Sequence, residues 1–307
     1  MHPVIKTILE RIALGIATLF VVSLVIFSAI ELLPGDFSQV ILGQSATQAN
    51  MAAISKELGL DQPPHLRYLQ WIAGAVQGDL GTSFSGRNAS GVDRSREVVD
   101  LIAPRLSNTL FLASMTAIIA VPISLVLGVT SALYRNSFYD RSVNTATLTT
   151  ISFPEFFVAY ILILTLSSLW PIFPSLANVD ADTVLSERIY KSALPALTLT
   201  LVIVAHMMRM TRAAIINLLA SPYIQMARLS GASQSEIIIK HALPTAWAPI
   251  ATVIAFNLAY LVVGVVVVEV VFVYPGVGQL MVDAVSTRDM SLIHISEPTR
   301  QAEIAYD

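Results

Sequence analysis

Residues 106–134 read LSNTLFLASMTAIIAVPISLVLGVTSALY, twenty-nine consecutive residues without a formal charge, held between Arg105 and Arg135. About 20 apolar residues carry a helix across the hydrocarbon core of a bilayer, so this run is long enough to span one. Four further gaps between charges follow the same pattern. Nineteen uncharged residues lie between Arg11 and Glu31, and twenty-four between Glu155 and Asp180, the latter extending an apolar run that begins near Ala146. Seventeen separate Lys191 from Arg209, and twenty-eight separate Lys240 from Glu269. These runs predict five spans, near 11–33, 109–134, 143–170, 194–211 and 247–273. Strand barrels are excluded, because the runs are continuous rather than ten-residue alternating segments.

Composition agrees. Of 307 residues, 55% are hydrophobic and 13% charged, with a mean hydropathy of +0.70. A typical soluble domain is about 25% charged, and one core of this size could not hide so much apolar surface from water. The expected fold is therefore an all-α polytopic membrane bundle. A net charge of −3 gives no sign of nucleic-acid binding. The absence of cysteine excludes disulfides and thiolate metal sites. The five histidines, at 2, 65, 206, 241 and 294, have no paired spacing that reads as a metal site.

Lysine and arginine bias in short loops sets orientation. Lys6 and Arg11 flank the first span. Arg135 and Arg141 stand against Asp140 in the second short loop, and Arg209, Arg212, Arg228 and Lys240 against Glu236 between spans four and five. The opposite side holds Asp180, Asp182 and Glu187 against Arg188 and Lys191. A cytoplasmic N-terminal flank (1–10) is thus expected, followed by the first span (11–33) as a retained anchor without a small-residue cleavage site. A long outer segment (34–105) comes next, then a membrane core (106–290) with a cytoplasmic loop at 212–244. Spans three and four each carry a proline, Pro154 and Pro195, at or near an end or kink, read as ordinary kinks or as a gating hinge.

Residues 221–244 read SPYIQMARLSGASQSEIIIKHALP. Ser221 followed by Pro222 is a helix N-cap with proline at the first helical position, and Gly231 supplies a left-handed stop. Ser233 with Glu236 forms a capping box opening a second helix toward Pro244. Tyr223, Met226 and Ala227, at i, i+3 and i+4, give the short first helix one apolar face. A face that small is not stable alone in water. It packs on its own chain or lies in a partner's groove.

The spacing Gln225-Met226-Ala227, then Gly231, then Leu243-Pro244 resembles the EAA loop of ABC-transporter permease subunits, in which Glu-Ala-Ala is followed by three residues, Gly, nine residues and Ile-x-Leu-Pro. Gln225 stands for the Glu, Met226 for the first Ala and His241 for the Ile. Further stretches sharpen the likeness: Leu33-Pro34-Gly35-Asp36, Leu58-Gly59-Leu60-Asp61-Gln62-Pro63, Gly78-Asp79-Leu80-Gly81, Arg105-Leu106-Ser107-Asn108-Thr109, Leu194-Pro195-Ala196-Leu197-Thr198, and Glu269 with Tyr274-Pro275-Gly276-Val277-Gly278. Over roughly residues 8–290 the chain is similar to the dipeptide/oligopeptide/nickel permease family, of the subunit type with a long outer segment after the first span. The resemblance implies an importer in a bacterial cytoplasmic membrane. In it a second permease subunit, two cytoplasmic ATP-binding subunits and an extracytoplasmic solute-binding protein join this chain. Tyr223, Gln225, Met226, Ala227, Arg228, Gly231, Leu243 and Pro244 would form the ATPase-coupling loop.

No Gly-x-x-x-x-Gly-Lys-Ser/Thr phosphate loop is present, nor any Gly-Lys dipeptide, so ATP must be handled by another polypeptide. No cofactor is expected. An intramembrane enzyme would need acid/base or metal groups clustered in the spans. An ion-coupled secondary transporter, the alternative reading, would place ionisable groups near mid-membrane within inverted repeats. Polar residues in the spans carry two readings each. Glu269 lines a solute path or pairs across an interface, or it anchors a helix end. Glu155, after Pro154, is a path candidate. Asn257 is a path candidate or, like His206, an inter-helix hydrogen-bonder. Arg209 and Arg212 read as positive-inside flanks, and Asp79 with Gly81 as a structural turn or a contact for the binding protein.

After Met290 the family would continue into a sixth span, whereas Ser291–Arg300 reads SLIHISEPTR. That decapeptide is the translation of a transposase-end sequencing adaptor. Residues 291–307 are therefore expected to be a non-native tail on a C-terminally truncated chain of five spans, leaving a groove where the sixth helix belongs.

Overall fold

The computed structural model describes residues 3–31, 62–83, 97–180, 182–233, 236–263 and 265–286. Leu33–Asp36, most of Leu58–Pro63 and the tail 291–307 lie outside the described residues. Among the described residues the regular structure is helical: α1 (Pro3–Glu31), α2 (Pro64–Val76), α3 (Val98–Leu133), α4 (Phe138–Ser152), α5 (Glu155–Ile163, continued by a π-helical turn at Leu164–Leu169), α6 (Leu185–Lys191), α7 (Ala193–Leu219), α8 (Pro222–Leu229), a π-helical turn (Ile237–Ala242), α9 (Leu243–Val263), α10 (Val266–Phe272) and α11 (Val277–Ser286).

Four of these helices are long and apolar enough to cross a membrane: Val4–Ala29, Val98–Leu133, Ala193–Leu219 and Pro244–Val262. Two broken pairs, Phe138–Ser152 with Glu155–Leu169 and Val266–Phe272 with Val277–Ser286, would raise the number to six. The all-α polytopic expectation holds, with corrections to two spans. The third expected span is two helices meeting at 99°, because Pro154 has no N–H to continue the ladder and forces Phe153 out of the helical region. Phe153 is indeed extended, at φ −96°, ψ 137°. Pro195 stands at a span end, as expected for one of the two positions: it lies in the first turn of α7, where the N–H groups have no intrahelical partner anyway. The fifth expected span stops at Val263 and restarts at Val266, beside Gly264, the weakest helix former after proline.

The chain divides into two compact units, Ser107–Gln279 and Met1–Leu106 with Leu280–Asp307. In the larger unit α7 is the hub, in contact with α4, α5, α6, α8, α9 and α10. Its buried face brings Leu194, Leu199, Ile203 and Met207 together with Leu112, Leu261, Phe272 and Tyr274. One turn of α3 packs backbone-close on α7: a Cβ on Gly128 would lie 2.8 Å from Thr211 Cβ and 2.9 Å from the Met208 carbonyl. Helices in lipid gain no hydrophobic drive from meeting each other, so close approach at small residues supplies the dispersion contact instead. In the smaller unit Tyr68 of α2 is buried against α1. Its hydroxyl shares a 2.8 Å hydrogen bond with Ser23 Oγ, and its ring lies 5.2 Å from that of Phe27. Asp79 Oδ1 accepts from Gly81 N–H, and Gly81 has a φ of +81°, which makes this segment the structural turn that one of the two readings expected.

Candidate functional site

The loop between α7 and α9 is built as the sequence suggests, with one reassignment. Ser221 is the N-cap in extended conformation (φ −69°, ψ 149°) and Pro222 opens α8, although the serine hydroxyl makes no capping bond. Gly231 turns the chain back at φ +83°, with its N–H on the Arg228 carbonyl. Ser233 Oγ accepts from the Glu236 N–H at 3.3 Å. Beyond Glu236 the chain forms a π-helical turn running directly into α9, rather than a separate second helix. Pro244 falls in the first turn of α9, beside Leu243. Lys240 Nζ, 2.7 Å from Glu236 Oε1, holds that exposed carboxyl below its usual range.

The reassignment concerns which face of α8 is which. Ile224 is fully buried, packed with Ile237 and Ala242 and flanked by Leu218, Leu219, Ala227 and Ala232. Tyr223 and Met226, expected on one apolar face with Ala227, instead point outward at 52% and 64% exposure, joined by Leu229 at 83%. The packing on the same chain is thus made by Ile224, and the apolar side that carries Tyr223 and Met226 is left open. Tyr223 Oη and His241 Nδ1 are 2.7 Å apart and Gln225 Nε2 donates to the Ala220 carbonyl, tying the bracket to its neighbours. The sequence does not single out Ile224, because five apolar residues on two turns do not settle where the buried side begins.

The two arginines expected as flanks of α7 differ in their surroundings. Arg212 is engaged within the fold. It donates from Nε and Nη2 to Asp140 Oδ1 and Oδ2, each at 2.8 Å. The Asp140 carboxylate also accepts from Ser131 Oγ (2.8 Å), the Asn136 N–H (2.9 Å) and Asn144 Nδ2 (2.7 Å). Five donors on one carboxylate make a charged knot joining α3, α4 and α7. The only signal in sequence was a single acid, Asp140, between Arg135 and Arg141. Arg209 and His206 are exposed on the open side of α7 and line a cleft with Asn144, Met210, Arg212 and Ala213.

Of the path candidates, Glu269 is fully buried within its own unit. Thr109 Oγ1 donates to its Oε1 at 2.7 Å and the Gln279 N–H to its Oε2 at 3.1 Å, while Thr109 Oγ1 accepts from the Val277 N–H at 2.9 Å. Gly276 lies so close that any Cβ there would collide with the carboxylate. The segment Tyr274–Gly278 is thus wrapped around Glu269. Tyr274 Oη donates to the Asn108 carbonyl and Asn108 Nδ2 to the Pro275 carbonyl, at 2.8 and 2.9 Å. This wrap holds Val273, a β-branched residue, at a left-handed φ of 52°, a conformation such residues adopt only when their surroundings over-determine it. Asn257 bonds within its own helix, Nδ2 to the Val253 carbonyl at 2.8 Å, not to another helix. Glu155 is half-buried at the start of α5 and accepts from Tyr260 Oη of α9. No group of three or more metal-ligating side chains is found among the described residues.

Comparison with known proteins agrees with this architecture. Residues 124–300 match the family described as binding-protein-dependent transport system inner membrane component, and residues 4–113 match its N-terminal membrane-component family. The first match runs ten residues into the stretch expected to be a foreign tail. The glutathione transport system permease protein GsiC of Escherichia coli is 36% identical over 286 residues, covering 93% of this chain and 88% of the relative. Its counterparts in Salmonella paratyphi A (35% over 288 residues) and Shigella dysenteriae (36% over 286 residues) cover the same shares. The chain belongs to the binding-protein-dependent transport family of inner-membrane permeases: it is a multi-pass membrane subunit of an ATP-driven importer, not itself an enzyme.

Proposed function

We propose that this chain forms half of a translocation path for peptide-sized solutes, glutathione-like tripeptides among them, and that α8 is the helix through which a separate ATPase drives it. The relatives' permeases of glutathione transport systems support the solute class. The observation that carries the coupling role is the two-sided α8: Ile224 pins it from within while Tyr223, Met226 and Leu229 stay open and apolar. An exposed apolar face on a rigidly held two-turn helix suits a partner's groove. Gln225, Ala227 and Arg228 belong to the same helix. Gly231, Leu243 and Pro244 set the turn and the return into α9.

The same reading supplies the rest of the assembly: a second permease subunit, two cytoplasmic ATP-binding subunits and an extracytoplasmic solute-binding protein, with the N-terminus and the 212–244 loop on the cytoplasmic side. ATP binding in the partner would bias two packings of the spans, exposing the path to alternate sides. Glu155 and Asn257 stay candidates for the path wall, while the enclosure of Glu269 supports a bracing role for it. Reconstituted vesicles holding the assembled importer provide the test. Met226→Asp should insert normally yet abolish solute-stimulated ATP hydrolysis and uptake. Normal coupled hydrolysis in that variant overturns the coupling role. Uptake that survives without the ATPase but collapses with the ion gradient overturns the importer mechanism in favour of a secondary transporter.

A further inference from the structure

The open side of α7 carries a stripe of exposed residues at helical spacing: His206, Arg209 with Met210, Ala213 and Asn217. All but Asn217 line a cleft of about 400 Å³, walled in addition by Asn144 and Arg212. That volume lies within the range of small-molecule sites.

Two features separate this cleft from an ordinary polar surface. The first is position. His206 has thirteen residues of α7 on either side and lies inside the expected span 194–211, while Arg209 follows within one turn, at the inner end where the chain enters the 212–244 loop. Ionisable side chains inside or at the edge of a span turn from lipid toward water or a counter-charge. The second is uncompensated charge. Arg212 is fully engaged with Asp140, whereas Arg209 and His206 make no hydrogen bond or ion pair among the described residues. The cleft therefore offers a guanidinium whose planar fork has no internal partner, and that fork matches a carboxylate bidentately.

We infer that this cleft binds the carboxylate of the solute as it crosses the membrane, with Arg209 as the anchoring cation and His206 as a second donor. The inference rests on the permease reading. Charge complementarity and a volume suited to a few residues of peptide favour the solute as occupant. An acidic side chain of the partner permease is the competing one.

The chain has no cysteine, which allows a direct test in the assembled importer in membranes. Ala213→Cys places a single thiol in the cleft. A methanethiosulfonate carrying a sulfonate should label it at least about tenfold faster than one carrying a trimethylammonium group, relative to a free thiol. Adding Arg209→Gln should erase that preference, and Arg209→Lys should keep it. Trialanine should protect the thiol and trialanine amide should not. No labelling, as when a partner side chain fills the cleft, overturns the inference, and so does labelling without charge preference. Equal behaviour of trialanine and its amide overturns the carboxylate assignment. Labelling is read on this chain whatever the transport activity. Loss of ATP- and binding-protein-dependent uptake by the wild-type importer would instead count against the permease reading.

Discussion

Arg212 grips Asp140 with both ends of its guanidinium fork, Nε to Oδ1 and Nη2 to Oδ2 at 2.8 Å each, and so joins the start of α4 to the last third of α7. Asp140 keeps only 4% of its side-chain exposure and Arg212 22%. A charge this enclosed is stable only while its partner is present.

Asp140→Ala or Arg212→Ala alone should therefore destabilise the protein by about 2–3 kcal/mol, toward the low end for breaking a buried pair because Arg212 keeps some solvent. Arg212→Lys should rescue little, since an ammonium cannot reproduce two parallel bonds. The double alanine variant should cost clearly less than the sum of the singles. Thermal denaturation of the detergent-solubilised protein measures all four, and strict additivity would contradict the clamp.

Gly128→Ala should lower stability by about 1–3 kcal/mol, the usual range for overpacking a tight contact, because the new methyl would meet Thr211 Cβ at 2.8 Å. Gly15→Ala in α1 is the control: nothing lies within 4 Å of its Cβ position. Equal melting temperatures for the two variants would show that α3 and α7 do not approach this closely.

Thr109→Val removes a donor to Glu269 and an acceptor for the Val277 N–H in one step. Stranding buried polar groups costs about 1–3 kcal/mol each, so this variant should melt well below wild type, while Thr109→Ser, which keeps the hydroxyl, should recover most of the loss. Protease sensitivity around Tyr274–Gly278 should rise in the valine variant and return toward normal in the serine one.

On α8 the two faces should respond differently. Ile224→Ala empties a fully buried position and should cost about 2–4 kcal/mol. Leu229→Ala, at 83% exposure, should leave thermal stability within about 0.5 kcal/mol while weakening ATPase association in a pull-down of the assembled complex. Comparable melting losses for both would contradict the inner and outer assignment.

Much of the architecture was legible in the chain. The runs between Arg11 and Glu31 and between Arg105 and Arg135 are spans because no other arrangement satisfies nineteen and twenty-nine uncharged, mostly apolar residues. Pro222, Gly231 and the Ser233–Glu236 pair laid out the bracket at 221–244, since caps and left-handed stops act through residues within one turn of each other. What local chemistry cannot encode is partnership across long separations. Asp140 finds Arg212, and Thr109 finds Glu269, only when distant helices pack. Which side of α8 is buried depends on where Leu218 and Ile237 come to lie. The apolar run 143–170 contains a 99° corner because a proline removes one backbone donor, yet the size of that bend is set by what α4 and α5 pack against on α7. Span count and loop grammar are local, near-obligatory consequences of backbone hydrogen bonding in lipid. The pairing of buried charges and the choice of exposed face are outcomes of packing, and only the tertiary structure decides them.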